Sequence, residues 1–478
     1  MNPNVIYLTV VVLFMIALLV IGMLISRGVK NQKDWMVAGK SLGMLPMAGT
    51  YFATIVSAAS IVSYMGYYYL NGWPGVWNCA GTFLTSFLAC LWFAKRLRKA
   101  GCDTLPEYIA SRYGKQLAMP ASVLILVCTI ALLAAQVTGG IVVLQSFVDW
   151  NNVTCCIVLL VVFLAFTAMG GMKAVAWTDT ICSFVIIIGV WVMAVEFLGE
   201  IGGFTAMNEQ VAAINPGFVE AFSVEIPPLT ALSWVVTWGI CNFGAPQFIA
   251  RFFSAESPEI ASRSQGLTGI GLLLFYIPLS IIGIGGMLLV PGIENQDQVF
   301  TTLVTTKLSP IMGAVLFAAV VAAIISTADS LLLLAASTFS NDIYAKLKPN
   351  VSDTQLLKVS RIATVVIGIG GVSLTFFLNE AIQFIQARAV TLMGAAMAIL
   401  TMVGVVWKGA NRTGAAASMI AGFVTACIWY ALGQPGGVMA ALPAVIVAFV
   451  VLIVVSKVTA PPPAEVVEKF FPEEVHKK

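Results

Sequence analysis

Long apolar runs separated by short polar segments dominate the chain. Thirteen of these runs are close to or above the roughly 20 residues that a helix needs to cross a bilayer. They lie at residues 5–26, 44–70, 73–94, 116–146, 153–172, 176–199, 229–250, 266–290, 309–337, 357–378, 381–407, 412–432 and 438–456. The pattern predicts an all-α integral membrane protein with about 13 transmembrane helices in a lipid bilayer.

Two of these spans are interrupted near their middle by residues that do not favour a continuous helix. The second span contains small and hydroxylic residues at 51–60, YFATIVSAAS, and the seventh contains two glycines and a proline at 239–246, GICNFGAP. Such breaks are tolerated in a membrane where neighbours satisfy the freed backbone groups or where the backbone lines a cavity. The alternative is two kinked helices that pack through small residues.

The two interrupted spans each open a block of five spans, at residues 44–199 and 229–407. Because five is odd, the second block enters the membrane in the opposite sense. This arrangement predicts two inverted five-helix repeats with broken first helices, a design that places substrate and ions near the midplane. The predicted units are a first helix with its loop, the first repeat with an outer loop, the second repeat, two additional helices and a cytoplasmic tail, at residues 1–43, 44–228, 229–411, 412–459 and 460–478.

The composition agrees with a membrane protein, because 59% of the 478 residues are hydrophobic, 10% are charged and the mean hydropathy is +0.96. If successive spans cross the membrane in alternate directions, all 25 Lys and Arg residues lie on one side of it except Lys307 and Arg388. Since basic loops stay in the cytoplasm, we expect a plasma-membrane protein with its amino terminus outside and its carboxyl terminus inside. The net charge of +3 gives no reason to expect a nucleic acid partner.

Several kinds of chemistry lack their usual residues. The nine cysteines lie mostly in apolar runs and form no CxxC pair, which indicates packing rather than metal binding. The single histidine, His476, lies in the charged tail, away from the predicted membrane interior. The sequence contains no phosphate-binding loop and no GxSxG motif. We therefore expect neither enzyme activity nor ATP-driven transport.

A cluster of side-chain oxygens interrupts the apolar ninth span. Ser326, Thr327, Asp329 and Ser330 lie within five consecutive positions, and residues 323, 326, 327 and 330 share one helical face. Hydroxyl and carbonyl oxygens that converge on one face suit a small hard cation, of which sodium is the obvious candidate. The alternative is that these hydroxyls bond to the preceding turn or to a neighbouring helix.

Four motifs lead from this cluster to a known family. They are AGKSLG at 38–43, AMGGMKAVAWTD at 168–179, WGICNFGAP at 238–246 followed by Arg251-Phe252, and STADS at 326–330 with DIY at 342–344. With these motifs the chain resembles the solute:sodium symporter family along essentially its whole length. The resemblance implies a leucine-transporter-type fold that binds Na⁺ between the second and ninth spans. The implied ligands are the carbonyls and hydroxyls of Ala53, Val56, Ala323, Ser326 and Thr327.

The motifs are most similar to those of sodium/proline symporters, with three departures. Lys40 replaces an arginine, Ile55 replaces an aspartate, and Asn242 replaces a tyrosine of the substrate site. These differences weaken an assignment to proline. Other members of the family take pantothenate, small monocarboxylates, sialic acid, sugars or iodide.

The resemblance also implies a possible second sodium site. Some relatives place an ion between an aspartate that matches Asp179 and hydroxyls that match Ser326 and Ser330. In this chain Asp329 replaces a hydroxyl that such relatives carry. The alternative is that Asp179, one turn into the sixth span, interacts favourably with the amino-terminal dipole of that helix.

Contacts with a small organic substrate are expected where the two broken spans face each other. The residues expected there are Ser57, Ser60, Gln136, Trp238 and Asn242. Polar amides beside a flat aromatic ring suit a solute that has both an apolar face and hydrogen-bonding groups. Gln136 has an alternative interpretation, because an amide can instead bridge two helices.

Arg388 is the basic residue that threading leaves well inside a span. It lies about 11 Å along the helix from the outer end at Glu380, and an unpaired arginine near the membrane centre costs at least about 2.5 kcal/mol. The functional interpretation is that Arg388 pairs with a substrate carboxylate. The structural alternative is a partner within the protein, such as Asp329.

Together these observations predict a secondary-active importer that couples Na⁺ entry to uptake of a small organic solute by alternating access. A carboxylate-bearing solute, such as a monocarboxylate or an amino acid, is expected because of Arg388. The alternatives are a membrane sensor with the same fold that transports nothing, and a sodium symporter for a neutral solute such as a sugar.

Overall fold

The computed structural model describes residues 2–26, 32–348 and 350–471, apart from the side chains at 26, 32–33 and 168–170. His476 lies outside this part of the chain. The described residues form helices joined by turns, with one isolated backbone bridge between Leu42 and Ala255. The predicted all-α class is therefore confirmed.

Twenty-one α-helices account for most of the described chain. They are α1 Pro3–Ser26, α2 Gln32–Val37, α3 Met44–Ile55, α4 Tyr64–Asn71, α5 Trp77–Leu88, α6 Ala94–Lys99, α7 Leu105–Tyr113, α8 Ala118–Gln145, α9 Asn152–Ile201, α10 Phe204–Ile214, α11 Pro228–Gly239, α12 Pro246–Ser254, α13 Pro258–Leu289, α14 Val299–Lys307, α15 Pro310–Ser337, α16 Ala345–Leu347, α17 Asp353–Thr375, α18 Ile382–Gly404, α19 Arg412–Ala431, α20 Ala441–Val458 and α21 Ala464–Phe470. Short 3₁₀ or π turns join several of them.

Fewer spans than predicted are found when the described helices are judged by their length and apolar composition. Ten helices are long and apolar enough to cross a membrane, and the bent pair Met44–Ile55 and Ala59–Asn71 raises the total to eleven. Residues 152–167 form a shorter apolar helix, and the seventh predicted span consists of the short helices α11 and α12. The predicted count of thirteen is therefore not confirmed, because broken spans contain no single long helix.

Helix α13 connects two opposite faces of the molecule. It begins beside α6 and ends beside α10 and α14. We call the face that carries residues 95–116 the basic face and the face that carries residues 200–226 the acidic face. Lys307, one of the two basic residues that threading placed apart from the others, lies 2.6 Å from Glu200. Its neutralising partner explains how a basic residue is accommodated near the glutamates of the acidic face.

Both interrupted spans are broken at the predicted places. Helix α3 ends at Ile55, and the chain bends by 60° before the next helical segment. In the second case α11 ends at Gly239, a 3₁₀ turn covers Cys241–Gly244, and Pro246 opens α12. Proline suits a first helical position because its missing N–H would have no partner there. The two breaks leave backbone groups available beside the central helices.

Helix α15 occupies the centre of the bundle. It packs against α9, α1, α8 and α17 and is buried along nearly its whole length, whereas α1 is mostly exposed. Its side-chain oxygens therefore face protein rather than lipid. A central position is what allows a hydroxyl cluster to persist in so apolar a helix.

The segment that follows residue 460 contains a short helix. This helix, α21, places the Phe470 ring 5.7 Å from the ring of Tyr108. Arg112 adds a cation–π contact to the same ring, at 5.8 Å. Aromatic packing thus docks this part of the tail on α7.

Candidate functional site

The break in α3 faces the hydroxyl cluster of α15. The Thr327 hydroxyl donates a hydrogen bond of 3.2 Å to the carbonyl oxygen of Ala53. Because α3 ends at Ile55, carbonyls of its last turn lack the partners that a continuing helix would supply. The pairing brings together two oxygens that the resemblance assigned to one ion.

The other implied sodium ligands lie close by in the sequence and the fold. Ser326 directly precedes Thr327, Ala323 lies one turn earlier on α15, and Val56 is the first residue after α3, with a non-helical ψ of 88°. Two ligands at right angles and about 2.4 Å from a cation lie about 3.4 Å apart, close to the observed separation of Thr327 and Ala53. The oxygen chemistry and this spacing fit a sodium ion.

Asp179 is the first of three charged side chains in this region. Its side chain is fully buried and accepts a hydrogen bond of 2.6 Å from Thr50 and another from Ser326. The interpretation as a helix-start residue is wrong, because the helical backbone of α9 is interrupted at Gly171, where φ is 58° and ψ is 177°, and Asp179 lies two turns into the part that follows. The amino-terminal dipole acts mainly within the first turn of a helix. A buried carboxylate with two hydroxyl donors is held in one orientation.

Arg251 completes this group, although no role was predicted for it from the sequence. Its side chain is 1% exposed, and its Nε and Nη1 donate to the carbonyls of Thr50 at 3.2 Å and Gln247 at 2.6 Å. Its Nη2 donates to the Ser330 hydroxyl at 2.9 Å and lies 4.0 Å from Asp179 Oδ2. In the sequence it directly follows the broken seventh span, where it looks like a basic loop residue.

Asp329 lies on α15 between the first sodium site and Ser330. It is buried beside Thr167 and interacts electrostatically with Asp179 and Arg251. Its Oδ1 has no hydrogen-bond partner among the described residues. The region therefore contains two carboxylates and one guanidinium, and Asp329 is not the partner of Arg388.

The second break presents neutral polar groups. The Asn242 side-chain amide donates to the Trp238 carbonyl at 2.6 Å, while Thr85 also donates to that carbonyl. Asn242 Oδ1 and Trp238 Nε1 are buried without a hydrogen-bond partner in the described chain. The Trp238 ring lies 6.1 Å from the ring of Tyr64 on α4. An acceptor, a donor and an aromatic surface thus meet at this break.

Three of the predicted substrate residues have partners near the first break. Gln136 Oε1 accepts from the backbone N–H of Ala58 at 3.3 Å, so Gln136 does bridge two elements, while its Nε2 has no partner in the described residues. Ser57 donates to Gln386 at 3.4 Å. Ser60 donates to the carbonyl of Ile55 at 2.5 Å. Gln136 is thus both a helix bridge and a source of a free amide donor.

Arg388 is the predicted site residue that the structure places elsewhere. Its side chain is 45% exposed, and its Nη2 lies 2.8 Å from Glu380 Oε1. Its guanidinium also stacks over the Tyr430 ring at 5.2 Å. The prediction that Arg388 projects into a central cavity and meets the substrate is wrong, because its long side chain extends along the helix to Glu380.

A cavity opens on the basic face. It has a volume of about 660 Å³ and is lined by Met36, Asp103, Glu107, Asp342 and Lys346, among others. A narrower space beside it extends past Gln247 to Arg251 and Ser330. The cavity on the basic face therefore leads towards the charged residues around Arg251.

The acidic face is closed by a polar network. The Ser63 hydroxyl accepts from Gln296 Nε2 at 2.8 Å and from the backbone N–H of Gln383 at 3.3 Å. The backbone N–H of Ile382 donates to Asp297 Oδ2 at 3.1 Å, which places a carboxylate at the start of α18. Burial raises the pKa of Asp297 above its ordinary value. Contacts between the break and the loop thus close this side.

Comparison with known sequences gives consistent results. A family model described as the sodium:solute symporter family matches residues 35–422. A sodium/proline symporter of Haemophilus influenzae is 28% identical over 453 residues, which cover 90% of this chain and 88% of the relative. A high-affinity proline transporter of Bacillus subtilis is 25% identical over 467 residues, which cover 95% of this chain and 98% of the relative.

Solved structures share the architecture. A Na⁺-coupled sialic acid symporter, solved in a substrate-bound outward-open state, matches with a TM-score of 0.84 at 19% identity. The match covers 96% of this chain and 98% of that protein. The transporter MhsT, solved with L-phenylalanine, matches with a TM-score of 0.53 at 15% identity. At these identities the likeness concerns the fold, and it confirms the predicted leucine-transporter-type architecture.

Proposed function

The chain belongs to the sodium:solute symporter family, and from this membership we propose that it imports a small carboxylate-bearing solute of amino-acid type together with Na⁺. Family membership makes the protein a sodium-coupled transporter of a small solute. The nature of the solute, the residues that bind it and the direction of transport are parts of the proposal.

The observation that carries the proposal is the contact between Thr327 and Ala53. It joins the broken helix α3 to the central helix α15 through two oxygens of the type that Na⁺ prefers. We assign the first sodium site to Ala53, Val56, Ala323, Ser326 and Thr327. A site at this junction links ion binding to the relative position of two helices, which is what coupling requires.

The solute site is assigned to the facing breaks. Trp238 Nε1 and Gln136 Nε2 are buried donors without partners in the described chain, and Asn242 Oδ1 is a matching acceptor. Two donors suit a carboxylate and an acceptor suits an ammonium or imino group, while the rings of Trp238 and Tyr64 suit an apolar side chain. We add Ser57 and Ser60 as the hydroxyls of the opposing break.

The names of the relatives agree with this chemistry. Proline, named for the Haemophilus and Bacillus relatives, is a small zwitterion with an apolar ring. The polar groups assigned to the solute are uncharged, which suits a zwitterion because its two charges already compensate each other. The same uncharged lining leaves a neutral polar solute as the second candidate function.

Alternating access explains why one face of the molecule is closed while the other carries a cavity. The acidic face is closed at Ser63 and the basic face carries the cavity, so the structure corresponds to an inward-facing arrangement if the basic face is cytoplasmic, as basic loops favour. Each Na⁺ that moves inward gains about 2.3 kcal/mol per 100 mV of membrane potential. One ion can therefore drive useful accumulation of a solute without net charge.

Uptake by purified protein in proteoliposomes tests the proposal. We expect radiolabelled L-proline or a related amino acid to accumulate when an inward Na⁺ gradient is imposed, and not with K⁺ in its place. A competition panel of amino acids, monocarboxylates and sugars ranks the solutes. A sugar as the best competitor would favour the neutral-solute alternative, and the absence of sodium-dependent uptake for the whole panel would contradict transport of these solutes.

A further inference from the structure

We propose that the Arg251 guanidinium takes the place of a second sodium ion and thereby limits this transporter to one Na⁺ per cycle. This inference rests on the proposed function, because it concerns the number of ions that accompany the solute. It begins from the oxygens of the possible second site, which are those of Asp179, Ser326 and Ser330.

The guanidinium is hydrogen-bonded to one of these oxygens and lies close to another. Its Nη2 donates to the Ser330 hydroxyl at 2.9 Å and lies 4.0 Å from Asp179 Oδ2. The other Asp179 oxygen accepts a hydrogen bond from Ser326. An ion between Asp179 and Ser330 would have to displace a fixed positive charge from the same two partners.

Arg251 is held firmly in this position. Two further N–H groups donate to backbone carbonyls of α3 and α12, at Thr50 and Gln247. On α12, Phe248 and Phe252 flank it in sequence, and both rings lie 5.3 Å from the ring of Tyr51. A planar guanidinium with a bond from each of its three nitrogens loses most of its freedom to move aside.

Electrostatic repulsion acts in the same direction as this geometry. A second Na⁺ between Asp179 and Ser330 would lie beside the buried Arg251 guanidinium. Like charges repel most strongly where water is excluded, so the guanidinium disfavours an ion at this position.

Equilibrium binding of ²²Na⁺ to the purified full-length protein in detergent tests the inference without a known solute. We expect close to one bound ion per chain for the wild type. Arg251→Gln should bind close to two, because it frees the Asp179 and Ser330 oxygens and removes one positive charge. Arg251→Lys, which keeps the charge, should bind close to one.

A charge-balanced variant separates electrostatics from misfolding. Asp179→Asn combined with Arg251→Gln removes one charge of each sign and should return the count to one. Arg98→Gln is the matched control, because Arg98 also donates to a backbone carbonyl, that of Ala255 at 2.8 Å, but lies outside the charged group. It should bind one ion.

The outcomes distinguish this inference from the proposed function. Two ions bound by the wild type, or one ion bound by a folded Arg251→Gln variant, would overturn the role of Arg251 and leave sodium coupling intact. No saturable sodium binding by the wild type would contradict the first sodium site itself. If Arg251→Gln does not fold, the wild-type count can still overturn the inference, because two bound ions would contradict it.

Discussion

The two broken helices open corresponding repeats, yet they present different chemistry. At the first break the carbonyl of Ala53 meets the hydroxyl of Thr327. The buried carboxylate of Asp179 and the guanidinium of Arg251 both bond to Thr50, one turn before Ala53 on α3. At the second break Trp238 and Asn242 present a donor, an acceptor and an aromatic ring, all without charge.

The difference accounts for the two ligands that we propose for these breaks. A helix break frees backbone groups wherever it occurs, and the neighbouring side chains then select the ligand. Hydroxyls and buried carboxylates beside the first break favour a monovalent cation, whereas amides and aromatic rings beside the second favour a small organic solute. Four predictions sharpen this contrast, in decreasing order of expected effect.

Loss of the sodium hydroxyls should have the largest effect. Thr327→Ala and Ser326→Ala each remove an oxygen that interacts with a charge, worth about 1.5–3 kcal/mol. We expect the apparent Kd for ²²Na⁺ to rise by about 10- to 100-fold.

Thr305→Ala serves as a control for this prediction, because its hydroxyl bonds only to the preceding turn of α14. Unchanged sodium binding in the Ser326/Thr327 double variant would remove the distinction between the two breaks.

Changes at the second break should affect the solute and not the ion. Trp238→Phe keeps an aromatic ring but removes the indole N–H, and we expect the solute half-saturation to rise by up to about tenfold, since one hydrogen bond is worth about 1 kcal/mol. Asn242→Tyr should change which solutes compete. Sodium binding serves as the internal control, and an unaltered solute ranking in Asn242→Tyr would argue against this site.

The closed acidic face should respond weakly to pH through Asp297. Burial raises its pKa in the closed arrangement, so this arrangement binds a proton more tightly than an open one in which water reaches the carboxyl. Closure is therefore favoured at low pH and weakens as pH rises from the ordinary carboxyl pKa through the raised value. Asp297→Asn should remove this dependence.

Hydrogen exchange at the first turn of α18, corrected for the intrinsic effect of pH, measures the closure. A pH dependence that persists unchanged in Asp297→Asn would assign it to another group. Asp353→Asn is the matched control on an exposed helix start.

Arg388→Gln should have the smallest effect. The ion pair with Glu380 is nearly half exposed, and such pairs contribute about 0–1 kcal/mol. We expect uptake to change by less than about twofold and the amount of protein in the membrane to stay the same, as for the comparable variant Lys307→Gln. If uptake is abolished while the amount of protein in the membrane is normal, Arg388 acts in substrate transport, and its assignment to an exposed ion pair with Glu380 is insufficient.

Much of the candidate site could be recognised from local sequence patterns and motifs. The hydroxyls at Ser326 and Thr327 and the glycines and proline at 239–246 were visible because such residues are costly inside an apolar span. The role of Arg251 was not visible, because the apolar run ends at residue 250 and an arginine just after it is indistinguishable from a basic loop residue. Its burial follows from the extension of α12 to Ser254 and from packing against α3 and α15.

The sequence by itself determined the membrane class, the helical architecture, the places of both breaks and the oxygens offered to an ion, since these depend on composition and on neighbours a few residues apart. Only the tertiary structure decided which charges meet. Arg388 pairs with Glu380, while Arg251 lies between Ser330 and Asp179, which are 79 and 72 positions away in the chain. Pairing between distant charges depends on helix rotation and side-chain reach, which no local pattern specifies.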